Sequence, residues 1–216
     1  QPGTSCTSAA GVPMGRRTHK SDRCDRCRTH VQWCVCAEVP TLDLQTHVAL
    51  VAHKRELTKP TMPGRLALLA LTTHSLHEHG QADHPLDLTH LVTPERRLLV
   101  LFPAEGAQVL DATMQDADPR PVTLVVPEGT WRQASKVARR VPGLEHAEPV
   151  VLSPGPPTRY RLRREPRAGG LATMEAIARA LGVLEGPDTR RVLEQLFDLW
   201  VERTLYTRGS RITPPP

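Results

Sequence analysis

Short apolar runs alternate with segments of helical spacing along most of this chain. Thr46 to Ala52, Arg97 to Phe102, Pro121 to Val126 and Pro149 to Leu152 are short, apolar and rich in β-branched residues, as expected of strands buried on both faces. Gly64 to His79 sets Leu66, Leu69, Ala70 and Leu76 at helical intervals and predicts a helix. Trp131 to Arg140 predicts a second, and Gly170 to Leu181, with Met174, Ile177 and Leu181 on one side, a third. Asp188 is placed to N-cap a last helix from Thr189 to Tyr206, whose apolar stripe is Leu193, Leu196, Phe197, Trp200 and Val201. The alternation predicts an α/β fold: a mostly parallel sheet with helices on both faces.

In such sheets ligands gather beyond the carboxyl ends of the strands. Those ends carry the polar and turn-forming segments His53 to Glu56, Pro103 to Gly106, Pro127 to Trp131 and Ser153 to Pro157. Four loops on one edge outline a candidate site.

Ahead of the predicted strands stands Cys24-x2-Cys27-x6-Cys34-x-Cys36, four of the chain's five cysteines. Four thiolates at such spacing suit a tetrahedral zinc ion. Two disulfides and an iron–sulfur cluster use the same residues. No apolar signal segment precedes the run, Cys6 is left over, and a metal site is expected of such a cluster in a reducing compartment. The chain divides on this reading into a disordered segment (1–20), a four-cysteine zinc module (21–40), a catalytic domain (41–207) and a tail (208–216). No apolar stretch approaches a membrane span, and a cytoplasmic protein with no membrane partner is expected.

The formal charge is +5, a modest excess, but its distribution is uneven. Arg159, Arg161, Arg163, Arg164 and Arg167 crowd one segment, and Arg16, Arg17, Lys20 and Arg23 flank the cysteines. Such patches are solvated loop surface or a track for a phosphate backbone. Aromatics are only 3 %, which disfavours a base-stacking platform for single strands and leaves folded RNA read by shape and phosphate. His74, His77, His79, His84 and His90 are close in sequence, but His74, His77 and His79 do not share one helical face cleanly, so a solvated helix end is the expectation there and not a metal site.

The cysteine run, His53-x-x-Glu56, Leu101-Phe-Pro-Ala-Glu105, Glu128-Gly-Thr-Trp131 and Leu171-Ala-Thr-Met-Glu-Ala176, in this order across residues 21–206, resemble the DTW-domain family of tRNA-uridine aminocarboxypropyltransferases. The chain departs from the family pattern twice. Glu128 stands where the family's Asp-x-Thr-Trp has aspartate, and Thr61-Met62-Pro63-Gly64 replaces a Thr-Asn-Thr-Gly-like turn. The resemblance implies kinship with SPOUT-type RNA-modifying enzymes, a C-terminal trefoil knot among them, and often a dimer. It implies S-adenosylmethionine as co-substrate, tRNA as partner, and transfer of the 3-amino-3-carboxypropyl group to uridine N3 with release of methylthioadenosine. An RNA methyltransferase of the same fold and a non-catalytic zinc-bearing RNA-binding protein are the competing readings.

Whichever sulfonium carbon faces the acceptor decides which group moves. N3 is a weakly acidic imide, and Glu128 is the candidate general base; a helix-capping acid is its plain alternative. His53 and Glu56 are candidates to contact the acceptor nucleotide, or to pair with each other. The resemblance assigns the cofactor to Leu101, Phe102, Pro103, Glu105, Leu152 and Ser153, with Thr130, Trp131, Thr173 and Glu175 from the helix starts. Thr130 is equally a helix cap, and Trp131 equally helix core. Arg163 or Arg164 would hold the cofactor carboxylate or an RNA phosphate. Arg55, Lys59, Arg159 and Arg161 complete the expected RNA-binding set.

Overall fold

Six strands pair into one all-parallel sheet of order β2-β1-β5-β3-β6-β4 in the computed structural model, which describes residues 22–81, 83–163 and 169–209. The strands are β1 (His47–His53), β2 (His74–His79), β3 (Arg97–Leu101), β4 (Gln108–Val109), β5 (Val122–Glu128) and β6 (Glu148–Val151). The helices are α1 (Lys54–Leu57), α2 (Gly64–Ala70), α3 (Ala112–Ala117), α4 (Trp131–Arg140), α5 (Thr173–Leu184) and α6 (Pro187–Thr207). The segment 1–20 and the tail beyond Gly209 lie outside the described residues.

Alternation along the central strands builds two cores. Val48, Leu50, Ala52, Leu99, Leu124 and Val126 face α2, α5 and α6. Ala49, Val51, Leu98, Val100 and Val125 face α4, with Leu88 and Leu144 beside it. Burial on both faces is what the continuous apolar runs predict. The α6 stripe is buried throughout, Phe197 and Leu193 completely.

The predicted helix from Gly64 to His79 needs correction. It ends at Ala70, and Leu71 turns extended (φ −97°, ψ 135°). His74–His79 then pairs with β1 as an edge strand, with alternating exposure. An edge strand needs no apolar run, and polar side chains guard it against further pairing. The apolar pattern does not predict β4 or α3. The latter begins at Asp111, whose Oδ1 accepts the Thr113 and Met114 amides. Asp188 does not cap α6. Gly186 (φ +108°) occupies the cap position, Pro187 opens the first turn, and Asp188 pairs with Arg191.

The four-cysteine segment packs on α6 and shares the larger core through Cys24, Cys27 and Val35. Trp200 Nε1 donates to the Cys27 carbonyl (3.0 Å), and Arg203 to that of Cys34 (2.6 Å).

Candidate functional site

A cavity of about 750 Å³ opens at the carboxyl edge of the sheet, a size that accommodates a small-molecule cofactor. Its floor is Glu128, the last residue of β5, opposite Ala52 of β1. Phe102 and Trp131 meet at one wall with ring centroids 5.8 Å apart. Leu101 and Pro103 continue that wall, and Thr130, Thr173, Glu56, Lys59, Tyr160 and Arg163 complete the lining used below.

Glu128 is only 6 % exposed. Its Oε2 accepts the Gly64 amide at the start of α2 (2.9 Å), and Thr173 hydrogen-bonds its carboxylate. Burial dominates these contacts and pushes its carboxyl up to about 7, with Glu56 adding in the same direction and Arg163 opposing. A carboxylate near neutrality is suited to take a proton.

Gly64 is fixed by this contact. A Cβ there would lie 2.7 Å from Glu128 Oε2 and 2.9 Å from Leu50 Cδ2, and Leu50 is fully buried. Glycine to alanine inside a helix ordinarily stabilises by about 1 kcal/mol. Gly64→Ala is expected to reverse that sign, costing about 1–3 kcal/mol from overpacking and lowering activity with it. Denaturant midpoints measure this; an alanine variant as stable and as active as the parent would show that α2 does not press on Glu128.

Glu56 behaves differently. Burial raises its carboxyl, but Lys59 and Arg163 outweigh burial and hold it below the usual range. Arg163 Nη1 lies 3.1 Å from Glu56 Oε2, and its Nε and Nη2 donate to Thr61 Oγ1. Tyr160 donates to the Thr61 carbonyl (2.8 Å). Glu56 thus straps the loop after α1 to the segment 158–163 and closes one wall. A carboxylate held ionised by two cations is a poor proton acceptor, so Glu56 positions the site.

The other sequence-predicted residues divide. Leu101, Phe102, Pro103, Thr130, Trp131, Thr173, Lys59 and Arg163 line the cavity. Thr130 also caps α4 in a reciprocal box with Gln133 (Thr130 N to Gln133 Oε1 2.7 Å). Glu175 is buried beneath the site. It accepts the Ala172 and Arg159 amides (2.9 and 2.7 Å) and the Thr158 hydroxyl, so it ties segment 158–159 to the start of α5. Glu105, Leu152 and Ser153 do not reach the cavity. His53 and Arg55 line a neighbouring groove. Arg159 pairs with Glu194 and Asp198, Arg161 is exposed, and Arg164 lies outside the described residues. Tyr160, Thr61 and Gly64 were missed. Thr61 and Gly64 left a trace, as the two ends of the turn after His53-x-x-Glu56.

The four cysteine Sγ atoms lie within 4.8 Å of one another and are, among the described residues, the one His/Cys/Asp/Glu group that converges so. Cys24 and Cys36 Sγ are 3.6 Å apart, Cys27 and Cys34 3.7 Å. Arg28 adopts φ +63° to close the first turn, and the Cys36 amide donates to Cys34 Sγ (3.4 Å). Burial pushes the Cys27 and Cys36 thiols up, and neighbouring cysteines add to it; a central dication reverses that penalty. The cluster is a fit for a metal ion.

Among the described residues no helix is long and apolar enough to cross a membrane. The chain is similar to tRNA-uridine aminocarboxypropyltransferase 2 of Macaca fascicularis (28 % identity over 168 residues, 75 % of this chain and 56 % of that protein). It is similar also to the proteins of that name from Mus musculus (26 %, 84 % and 62 %) and Drosophila melanogaster (25 %, 81 % and 72 %). It therefore spans less than two thirds of the first two relatives. One solved structure, the SAM-dependent rRNA:acp-transferase Tsr3 from Vulcanisaeta distributa, aligns over 77 % of this chain and 80 % of its own at 15 % identity with a TM-score of 0.47. The DTW domain model matches residues 21–205, nearly the whole described chain, and the protein belongs to the DTW domain family.

Proposed function

We propose that this protein is a tRNA-uridine aminocarboxypropyltransferase, moving the 3-amino-3-carboxypropyl group of S-adenosylmethionine to uridine N3 and releasing methylthioadenosine. The observation that carries this reading is the buried carboxylate of Glu128, poised near neutrality on the floor of a cofactor-sized cavity. The names of the family relatives support the reaction.

In this reading the sulfonium supplies an electrophilic carbon, and the chain's residues decide which one. The aromatic pair Phe102 and Trp131 lines the cavity, and aromatic rings attract a cation. The Glu56–Arg163–Thr61 strap fixes the wall against which the amino-acid arm lies. Glu128 accepts the imide proton of the acceptor. With four protein thiolates filling a tetrahedral ion's coordination, the cysteine site has no open position for catalysis, and its role is structural. We assign it zinc, the ion that four thiolates at this sequence spacing suit; the nearest sulfur pairs stand 3.6 and 3.7 Å apart and all four lie within 4.8 Å of one another.

The test is product analysis. Incubated with S-adenosylmethionine and unmodified tRNA, the protein is expected to release methylthioadenosine and add one aminocarboxypropyl unit to a uridine. S-adenosylhomocysteine with a methylated base would make it a methyltransferase, and neither product with bound RNA a binding module.

A further inference from the structure

The arginine-rich segment offers less free charge than its sequence suggests, because Arg159 and Arg163 are held by acidic partners. Free cationic charge gathers elsewhere. A groove of about 990 Å³ runs beside the cavity and shares Thr130 and Arg132 with it. Lys54 and Arg55 of α1 and Arg132, Lys136 and Arg140 of α4 line it, and no carboxylate does. Among the described residues none of these five has an ion-pair partner.

The three α4 cations recur at every fourth residue and so form one row, rising about 6 Å per step. Like charges at that spacing repel and weaken an isolated helix. The helix dipole accounts for Arg140, in the last turn, but it disfavours Arg132, in the first. Local helix energetics therefore do not explain the row. His53 and His79 also line the groove, ring centroids 6.1 Å apart. Burial lowers both imidazoles; Arg55 adds to this at His53, where Glu56 opposes it, and Lys136 adds to it at His79.

We infer that this groove receives the phosphodiester backbone of the acceptor RNA beside the modified nucleotide, the strand reaching the cavity past Thr130 and Arg132. That the RNA is the acceptor rests on the transferase reading; that the groove binds it does not. The row of evenly spaced cations follows a chain of evenly spaced anions, and the shared residues connect it to the reacting carboxylate.

The experiment measures binding of labelled unmodified tRNA to the full chain by anisotropy between about 50 and 300 mM salt. The Lys54→Ala/Lys136→Ala/Arg140→Ala variant is expected to bind about 10²-fold more weakly at low salt, with the log–log salt slope smaller by about 2. Its S-adenosylmethionine affinity should be unchanged. An Arg26→Ala/Arg139→Ala/Arg191→Ala variant removes as many exposed cations elsewhere and should change affinity under about threefold. Lys136→Glu alone, should the triple variant not fold, is expected to lose at least tenfold. Equal losses from both triple variants would reduce the effect to net charge and overturn the groove, as would wild-type affinity in the groove variants. If the parent yields methylthioadenosine while the groove variant keeps its KM for RNA, the groove falls and the reaction stands. If the parent binds RNA through the groove but yields no product, the reaction falls and the groove stands.

Discussion

Glu128→Gln is expected to lower the rate of transfer by about 10²–10⁴-fold, the usual contribution of a positioned general base, while S-adenosylmethionine binds within about threefold of the parent. Glutamine keeps the volume and can still accept the Gly64 amide, so the cavity floor survives and only the proton acceptor is removed. The parent's rate should climb with pH and level off above neutrality, since a carboxyl at about 7 is about one-tenth ionised at pH 6 and nine-tenths at pH 8. The variant's residual rate should lack that inflection.

Stability should move the other way. The folded-state value of Glu128 is raised from 4.5 to about 7. The stability it contributes is thus fully present below about pH 4.5 and is lost as pH rises through 7. Above that, holding the buried anion costs on the order of 3 kcal/mol, from about 1.36 kcal/mol per unit. Glutamine carries no such cost. The variant should be more stable than the parent at pH 8 and lose that margin toward pH 5. Retained activity would remove Glu128 as the base. A variant that loses activity and is also less stable at pH 8 would mean a structural residue, not a strained catalytic one. The pairing of weaker catalysis with greater stability is what a functional group held against its solvation preference produces.

Why Glu128 was legible while much of its surroundings was not follows from what each signal depends on. Its strand, Val122–Glu128, is buried at every position, so a local apolar run suffices to find it and the residue at its end. The helix Trp131–Arg140 carries its own cap in Thr130 and Gln133, again local. The edge strand His74–His79 carries no apolar signal, because it owes its conformation to pairing with β1, and helical spacing upstream overran it. Tyr160 and Thr61 are 99 residues apart and meet through one hydrogen bond; no window of sequence joins them. Glu56 was legible as a site residue through its spacing from His53, yet its role was not. Only the positions of Lys59 and Arg163 show that it is an ionised strap. His53 was grouped with Glu56 by sequence, but the turn into α1 sends the two to different recesses.

With the cysteine site loaded as proposed, removing its ion by chelation or by Cys24→Ser/Cys27→Ser is expected to lower the melting temperature by more than about 10 °C and to weaken S-adenosylmethionine binding together with it. Structural zinc contributes apparent binding free energies of about 10–16 kcal/mol in small zinc modules, comparable to the whole stability of a domain, about 5–15 kcal/mol. Here that energy is not confined to the N-terminal segment. Cys24, Cys27 and Val35 belong to the core beneath the sheet. The Cys27 carbonyl holds Trp200, buried on α6, and Trp200 stacks on Tyr160 with ring centroids 6.4 Å apart. Tyr160 in turn lines the cavity and bonds to Thr61, the residue that Arg163 grips. Loss of the ion leaves clustered thiols with no counter-charge, loosens Trp200 and unsettles the wall formed by Tyr160. Melting followed by calorimetry, ligand affinity by titration, and elemental analysis of the purified chain test this. Absence of bound zinc or iron would remove the metal from the argument. Full ligand affinity in a destabilised Cys24→Ser/Cys27→Ser variant would cut the link from Cys27 through Trp200 to the cavity, leaving the cysteine site a staple for stability alone.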